Sequence, residues 1–277
     1  MKKVFSSLFV LGFSFFTFAG EPVLTTAPTG GVKSYIKTDY VVASKFGEYF
    51  RTPSAKYQHV FNEFGQEIEN SSLTVDGKVL DKITYSYDSK GNITAQTGVD
   101  DAGNILWKIV NTYDKKGLKT EESEYDAKDY LSSKSIFKYT GNNCTEETLY
   151  NGLGKIIWKN VYEYDENGNC KTSYSYYSNG ELESKKTFKY NDQKKVQEIY
   201  YFNEDGSLEK KELYRYDANG VLTEIATYTP QNKLYLRKFF KYDPKGNVSK
   251  VTTYSIAQKF GTTVNELAGM SDYTYQY

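Results

Sequence analysis

Two tryptophans in this chain have the side-chain type and spacing that favour ligand binding. Trp107 and Trp158 each follow an isoleucine by two residues, at equivalent places in a repeat that is described below. Exposed aromatic rings stack on sugar rings or anchor a protein partner. We therefore take Trp107 and Trp158, with Tyr113 and Tyr164 on the same sheet face, as candidate ligand-binding residues. The alternative is that these rings only pack within the sheet.

The chain contains few residues of the types that catalyse reactions or bind metals. His59 is the one histidine, and it occupies a position that is usually aromatic, so a structural role is favoured. The turns rich in Asp and Asn suggest Ca²⁺, but the EF-hand spacing that ends in a glutamate is missing. The nucleophile-elbow, phosphate-loop and zinc-protease motifs are also missing. We therefore predict no enzymatic activity, no cofactor and no metal.

The two cysteines, Cys144 and Cys170, occupy equivalent places in neighbouring repeats. In an exported protein such a pair suggests a disulfide. If the hairpins run as a meander, equivalent strands are about 9–10 Å apart, beyond the roughly 7 Å that a disulfide allows. Other repeats hold Ile93, Val196 and Val248 at this position. We expect two free, buried thiols, whereas a disulfide would indicate repeats that are stacked one strand apart.

These candidates are positioned by a repeat of 26 residues. The motif Tyr-Asp-x-x-Gly, with degenerate copies between, recurs in steps of 26 residues with one step of 25. The eight copies begin at Phe61, Tyr87, Tyr113, Tyr139, Tyr164, Tyr190, Tyr216 and Tyr242. A second, apolar column has the same steps and comprises Val79, Ile105, Leu131, Ile156, Leu182, Leu208, Leu234 and Phe260. Two columns that agree over eight copies identify a repeat protein.

Each copy holds two turns, with strand-like sequence between them. Asp at the first turn position and Gly at the fourth are typical of a type I turn that closes a hairpin, because Asp accepts local N–H groups and Gly tolerates a left-handed backbone. The intervening segments are rich in Tyr, Thr, Val, Ile and Phe, which favour strands. The repeat unit is therefore predicted to be a β-hairpin.

We predict an all-β fold in which the tandem hairpins form one long, twisted antiparallel sheet, either open or spiral. A membrane barrel needs one apolar face across the bilayer, whereas charges fall on both faces of residues 209–216, and the even turns lack long loops. The fold is therefore predicted not to be a membrane barrel. The aromatic C-terminus, with Tyr273, Tyr275 and Tyr277, is the one feature that is typical of such barrels.

The chain divides into four predicted segments. Residues 1–20 combine Lys2 and Lys3, an apolar run and small residues before the cleavage point, which together indicate a secretory signal peptide. Residues 21–54 are an irregular segment or a degenerate first repeat, residues 55–261 are the eight hairpin repeats, and residues 262–277 are a capping segment that starts with a short helical turn. We predict an exported protein (periplasmic, cell-surface or secreted) with no membrane span in the mature chain.

The repeat resembles the tyrosine–aspartate repeats of the RHS (YD-repeat) family. The likeness covers about residues 55–260 and is carried by phrases such as Tyr-Glu-Tyr-Asp-Glu-Asn-Gly at residues 162–168. In that family such repeats build a long sheet that spirals into a shell, often around a toxic C-terminal domain. This chain departs from the pattern, because no large C-terminal domain follows the repeats. The resemblance therefore implies the sheet without the toxin.

Composition and charge restrict the function. Lys+Arg and Asp+Glu are both 35, so the net charge is zero and a nucleic-acid partner is not expected. Tyrosine is abundant, with 28 of 277 residues. We predict an exported, non-catalytic repeat scaffold that binds a carbohydrate or a protein partner along an aromatic sheet face. The alternative is a toxin–immunity element that shelters or neutralises a partner polypeptide.

Overall fold

A computed structural model describes residues 27–259 and 261–277. The predicted signal peptide, residues 1–20, and Phe260 of the second apolar column lie outside the described residues. No helix among the described residues is long and apolar enough to span a membrane. The 18 strands of the described residues are β1 Ser34–Lys45, β2 Glu48–Phe61, β3 Glu67–Leu73, β4 Val79–Tyr87, β5 Ile93–Asp100, β6 Ile105–Tyr113, β7 Lys119–Asp126, β8 Leu131–Thr140, β9 Asn143–Asn151, β10 Ile156–Tyr164, β11 Cys170–Tyr177, β12 Leu182–Tyr190, β13 Val196–Phe202, β14 Leu208–Tyr216, β15 Leu222–Tyr228, β16 Leu234–Tyr242, β17 Val248–Lys259 and β18 Thr262–Gln276.

Consecutive strands pair antiparallel along the whole described chain. Each Tyr-Asp turn joins two strands of a hairpin, from β2–β3 to β16–β17. Outside the repeats, residues 34–54 form β1 and the first half of β2, and residues 262–276 form β18. The predicted helical turn at the start of the last segment is therefore wrong.

The sheet closes on itself through β1. This strand pairs with β2 on one side and with β18 on the other, so that Tyr35 lies opposite His59 and opposite Tyr275. The result is a closed antiparallel barrel of 18 strands. The predicted open or spiral sheet is wrong, and the prediction that argued against a membrane barrel is corrected with it, because the sheet is a closed barrel. The repeat pattern could not reveal closure, because closure depends on the register of β1, which lies outside the repeats.

The turns have the predicted chemistry. In the turn after β4, the Asp88 N–H donates to the Asn92 carbonyl, and the Asp88 carboxylate accepts from the N–H groups of Lys90 and Asn92. The Asn92 amide and these N–H groups hold the pKa of Asp88 below its ordinary range. The closing glycines all have left-handed backbones, with φ between 76° and 86° at Gly91, Gly117, Gly168, Gly220 and Gly246.

A tyrosine hydroxyl links each hairpin to the one before it. The Tyr216 hydroxyl donates to the Val196 carbonyl at 2.7 Å. The ladder between β13 and β14 starts at Glu198, so the hydroxyl bonds a carbonyl that the ladder does not reach. The same bond, at 2.5–2.8 Å, runs from Tyr87, Tyr113, Tyr139, Tyr164, Tyr190 and Tyr242 to the carbonyls of Glu67, Ile93, Lys119, Cys144, Cys170 and Leu222.

The tyrosine face of the sheet lines the interior of the barrel. Side chains alternate between faces, so Tyr214 and Tyr216 share one face while Arg215 points to the other. Large rings on the tyrosine face are buried, among them Phe137, Phe188, Tyr214 and Phe240. Buried residues on the opposite face are mostly small, namely Ser71, Ser123, Thr148, Thr172 and Ala226. Because a curved sheet crowds side chains on its concave side, we assign the tyrosine face to the interior.

The outer face carries a column of cations and a column of carboxylates. The cation recurs once per hairpin, at Lys82, Lys108, Lys134, Lys159, Lys185, Lys211 and Arg237. The carboxylates stand at Glu69, Glu121, Glu146, Glu198 and Glu224. Ion pairs join the two columns across neighbouring strands, for example Lys159–Glu146 at 2.6 Å and Arg237–Glu224 at 2.6 Å. These pairs are a second, electrostatic link between hairpins, on the side of the sheet opposite to the tyrosine hydroxyls.

The hydroxyl link predicts a stability difference between two tyrosines. Tyr216→Phe keeps the ring but leaves the Val196 carbonyl unpaired, so we expect the free energy of unfolding to fall by about 1 kcal/mol. Urea denaturation measures this change. The matched control is Tyr235→Phe, because Tyr235 is exposed and should change stability by less than about 0.5 kcal/mol. Equal losses in the two variants would contradict the structural role of the hydroxyl.

Candidate functional site

The two tryptophans lie on the interior face, at the same height in the barrel. Trp107 in β6 lies opposite Gly98 of β5, and Trp158 in β10 lies opposite Leu149 of β9. They occupy the same position in repeats two apart. Four strand spacings, about 19 Å, separate β6 from β10. The pairing places Trp158 in register with Asn111, which is four residues or about 13 Å along β6 from Trp107, so the two tryptophans are about 23 Å apart along the wall. The structure therefore places the predicted pair on one stretch of the interior wall.

The Trp107 ring lies against the backbone of Gly98. A Cβ atom built at Gly98 would stand 2.3 Å from Cε2 of Trp107 and 2.5 Å from its Nε1. Only glycine leaves room for the indole in this position, because any other residue would push the ring off the sheet. The glycine thus holds the ring flat along the interior wall.

Tyr113 and Tyr164 are on the same face but at the other end of the strands. Each lies six residues beyond the tryptophan of its strand, which is about 20 Å. Their hydroxyls donate to the Ile93 and Cys144 carbonyls at 2.7 and 2.6 Å. These two tyrosines therefore link hairpins, and the structure does not bring them together with the tryptophans.

Hydrogen-bonding side chains occupy the wall between the tryptophans. Ser133 in β8 lies opposite Glu124 of β7 and Asn151 of β9, on the interior face. The Ser133 hydroxyl donates to the Glu124 carboxylate at 2.9 Å. Two aromatic rings with carboxylate and hydroxyl groups between them are the groups that recognise hydroxyl-rich ligands, because the rings stack and the polar groups exchange hydrogen bonds. The Asn151 side-chain oxygen instead accepts from the N–H groups of Leu153 and Lys155 in the next turn.

Polar residues replace apolar ones on one side of the interior. One interior column is apolar in its last three copies and polar in the first five. Its residues are Asn70, Gln96, Glu122, Glu147, Ser173, Ile199, Ile225 and Val251. Gln96, Asn111, Lys119, Glu122 and Glu147 form what we call the interior polar patch. It lies on β5–β9, which include the strand of Trp107 and end next to β10, the strand of Trp158.

The charged members of the interior polar patch are paired. Lys119 is buried, donates to the Glu122 carboxylate at 2.8 Å and lies 4.6 Å from the centre of the Phe137 ring. Glu147 accepts a hydrogen bond from the Tyr162 hydroxyl at 3.2 Å. Burying such charges costs free energy unless they are paired in this way. The patch is therefore a built polar wall.

Sequence reasoning identified the tryptophans and missed the interior polar patch. The signal was present in the repeat at Asn111 and Lys119, which depart from what most other copies hold at their positions, whereas the column of Gln96, Glu122 and Glu147 is polar in five of its eight copies. Asn111 stands where six of eight copies are aromatic, and Lys119 stands where most copies are apolar. In a repeat protein the other copies show what the fold requires, so a departure from them marks a residue to be explained by function.

The other residues considered from the sequence have structural surroundings. His59 contacts the Glu67 carboxylate at 2.5 Å and stacks on Tyr35 with ring centres 4.4 Å apart, beside the junction of β1 and β18. Cys144 and Cys170 are free, buried thiols, as the spacing of a meander indicates. Burial raises the pKa of each thiol to about 12. No cluster of three metal-ligating side chains occurs among the described residues.

Comparisons with known proteins give information on the barrel fold and not on function. No family model and no curated protein matches the chain. A porin-like protein from Bacteroides uniformis is similar in structure, with a TM-score of 0.50, 10% identity, and coverage of 90% of this chain and 99% of that chain. The TcdB2–TccC3 complex matches at a TM-score of 0.30 and 12% identity, over 83% of this chain and 16% of that one. Only the first likeness is close enough to compare folds.

The prediction that the mature chain has no membrane span is contradicted. The chain closes into a barrel whose fold is similar to that of a porin-like protein, and a closed barrel is the form in which strands cross a bilayer. The prediction relied on charges on both faces of residues 209–216, which is a local test that does not report closure. At the coarser level of an exported or outer-membrane protein, the predicted location agrees with this likeness.

Proposed function

We propose that the protein is an exported, non-catalytic barrel that binds a carbohydrate along its interior wall. The observation that carries the proposal is the placement of Trp107 and Trp158 at one height on one wall, with Glu124 and Ser133 between them. The two rings would stack on sugar rings, and the groups between them would bind hydroxyls. We also propose that the exported protein resides in the periplasm, at the cell surface or in the medium.

The size of the barrel suits an extended ligand. A circular barrel of 18 strands spaced about 4.8 Å apart is about 27 Å wide across the backbone before strand tilt is added. The separation of the tryptophans, about 23 Å along the wall, corresponds to an oligosaccharide of several units. We therefore expect affinity to rise with chain length and to level off once both rings are covered.

The test is binding of a panel of oligosaccharides, measured by calorimetry and by tryptophan fluorescence. The panel contains neutral glucan, mannan and chitin tetramers with their uronate counterparts. For the tightest ligand, Trp107→Ala and Trp158→Ala should each weaken binding at least tenfold, which is about 1.4 kcal/mol.

The control for this test is Tyr130→Ala, because Tyr130 is exposed at an end turn and should not affect binding. Fractionation of the expressing cells reports the location. Unchanged affinity in both tryptophan variants would contradict the proposal, and so would a panel in which no member binds.

A second candidate function is passage of small solutes through the barrel, and closure of the sheet by β1 and β18 favours it. Under this proposal the protein inserts into lipid vesicles and conducts ions or sugars. Reconstituted vesicles should show conductance steps that are absent with heat-denatured protein. Vesicles that bind the protein without becoming permeable would contradict this function.

A further inference from the structure

The interior polar patch contains hydrogen-bonding groups that the protein itself does not satisfy. Both side-chain atoms of the Gln96 amide are buried and lack a partner, and so does the side-chain oxygen of Asn111. Gln96 is 1% exposed and Asn111 is 6% exposed. Of the four buried side-chain atoms without a partner in the described part of the chain, three belong to these two residues. Such groups cost stability unless something binds them.

These groups lie beside Trp107. Gln96 of β5 lies opposite Ile109 of β6, and on the interior face of β6 the neighbours of Ile109 are Trp107 on one side and Asn111 on the other. Each of those neighbours is about 7 Å along the strand. The indole ring and the unpaired amides therefore border one stretch of wall.

The sheet does not require amides at these positions. Three of the seven other copies at the Gln96 position, Ile199, Ile225 and Val251, build the same strands with apolar side chains, while the other four are polar. Asn111 keeps one bond to the fold, from its amide nitrogen to the Ile93 carbonyl at 2.9 Å, and only its oxygen is unpaired. Stability alone would favour the apolar residue, so the amides need another explanation.

We propose that Gln96 and Asn111 form a subsite for the hydroxyl groups of a neutral sugar unit that stacks on Trp107. An amide offers one acceptor and one donor group without charge, which matches a hydroxyl, since a hydroxyl both donates and accepts. The amides are enclosed in the ligand-free protein, so neighbouring side chains must turn aside when the sugar enters. This inference rests on the proposed carbohydrate function and names the class of sugar.

The test is Gln96→Leu, because a ligand role and a structural role of the amide predict opposite changes in the melting temperature. If the amide serves a ligand, leucine removes unsatisfied groups, so the melting temperature stays the same or rises. Affinity for the tightest neutral tetramer of the panel falls about tenfold, as expected when hydrogen bonds to the ligand are lost. The uronate counterpart should bind more weakly than the neutral tetramer to the wild-type protein.

The matched control is Gln193→Leu, since Gln193 lies in an exposed turn and should change neither quantity. Loss of affinity together with a lower melting temperature would overturn the inference, because it indicates an amide held by buried water. Unchanged affinity in Gln96→Leu, with loss in Trp107→Ala, would overturn the subsite and leave the proposed function standing. Unchanged affinity in both tryptophan variants would overturn both. If the wild-type protein bound the uronate more tightly than the neutral tetramer, the inference that the subsite takes a neutral sugar would be overturned.

Discussion

The hydrogen bond from each repeat tyrosine to the carbonyl twenty residues before it is the interaction on which the sheet depends. Neighbouring hairpins separate near the Tyr-Asp turns, where the ladder stops short, and the hydroxyl reaches across to the free carbonyl. This geometry needs a ring and a hydroxyl at one place in each hairpin. Seven of the 28 tyrosines are thereby explained, and their rings follow one another as a column along the inside of the barrel.

The eight repeats serve as an internal comparison for function. Positions that the fold requires mostly keep their residue type: the linking tyrosine is present in seven of the eight copies and the closing glycine in six. Positions on the interior wall of β5–β10 do not, and there the chain holds Trp107, Trp158, Gln96, Asn111 and Glu147. The apolar copies later in the chain, such as Ile199 and Ile225, show that the same strands form without these groups. The departures therefore mark the wall where a ligand is expected.

The local structure could be predicted from the sequence, and the closed form could not. Asp and Gly at fixed turn positions set the hairpins, and alternation along the strands placed Trp107 on the face of Tyr113. Closure depends on β1, which lies outside the repeats. The repeat pattern therefore contained no indication of the register that places Tyr35 opposite Tyr275. The amide of Gln96 was missed for a related reason: its significance lies in having no partner, which only packing reveals.

Crosslinking of the seam tests the central claim, a closed barrel, most directly. Ile36 of β1 lies opposite Thr274 of β18, so their Cα atoms are expected about 4.5–5.5 Å apart, within the range of a disulfide. In a background with Cys144→Val and Cys170→Val, the pair Ile36→Cys and Thr274→Cys should form an intramolecular disulfide on oxidation, seen as faster migration on a non-reducing gel. In an open strip these strands would be about 80 Å apart, and failure to crosslink, or crosslinking only between molecules, would contradict closure.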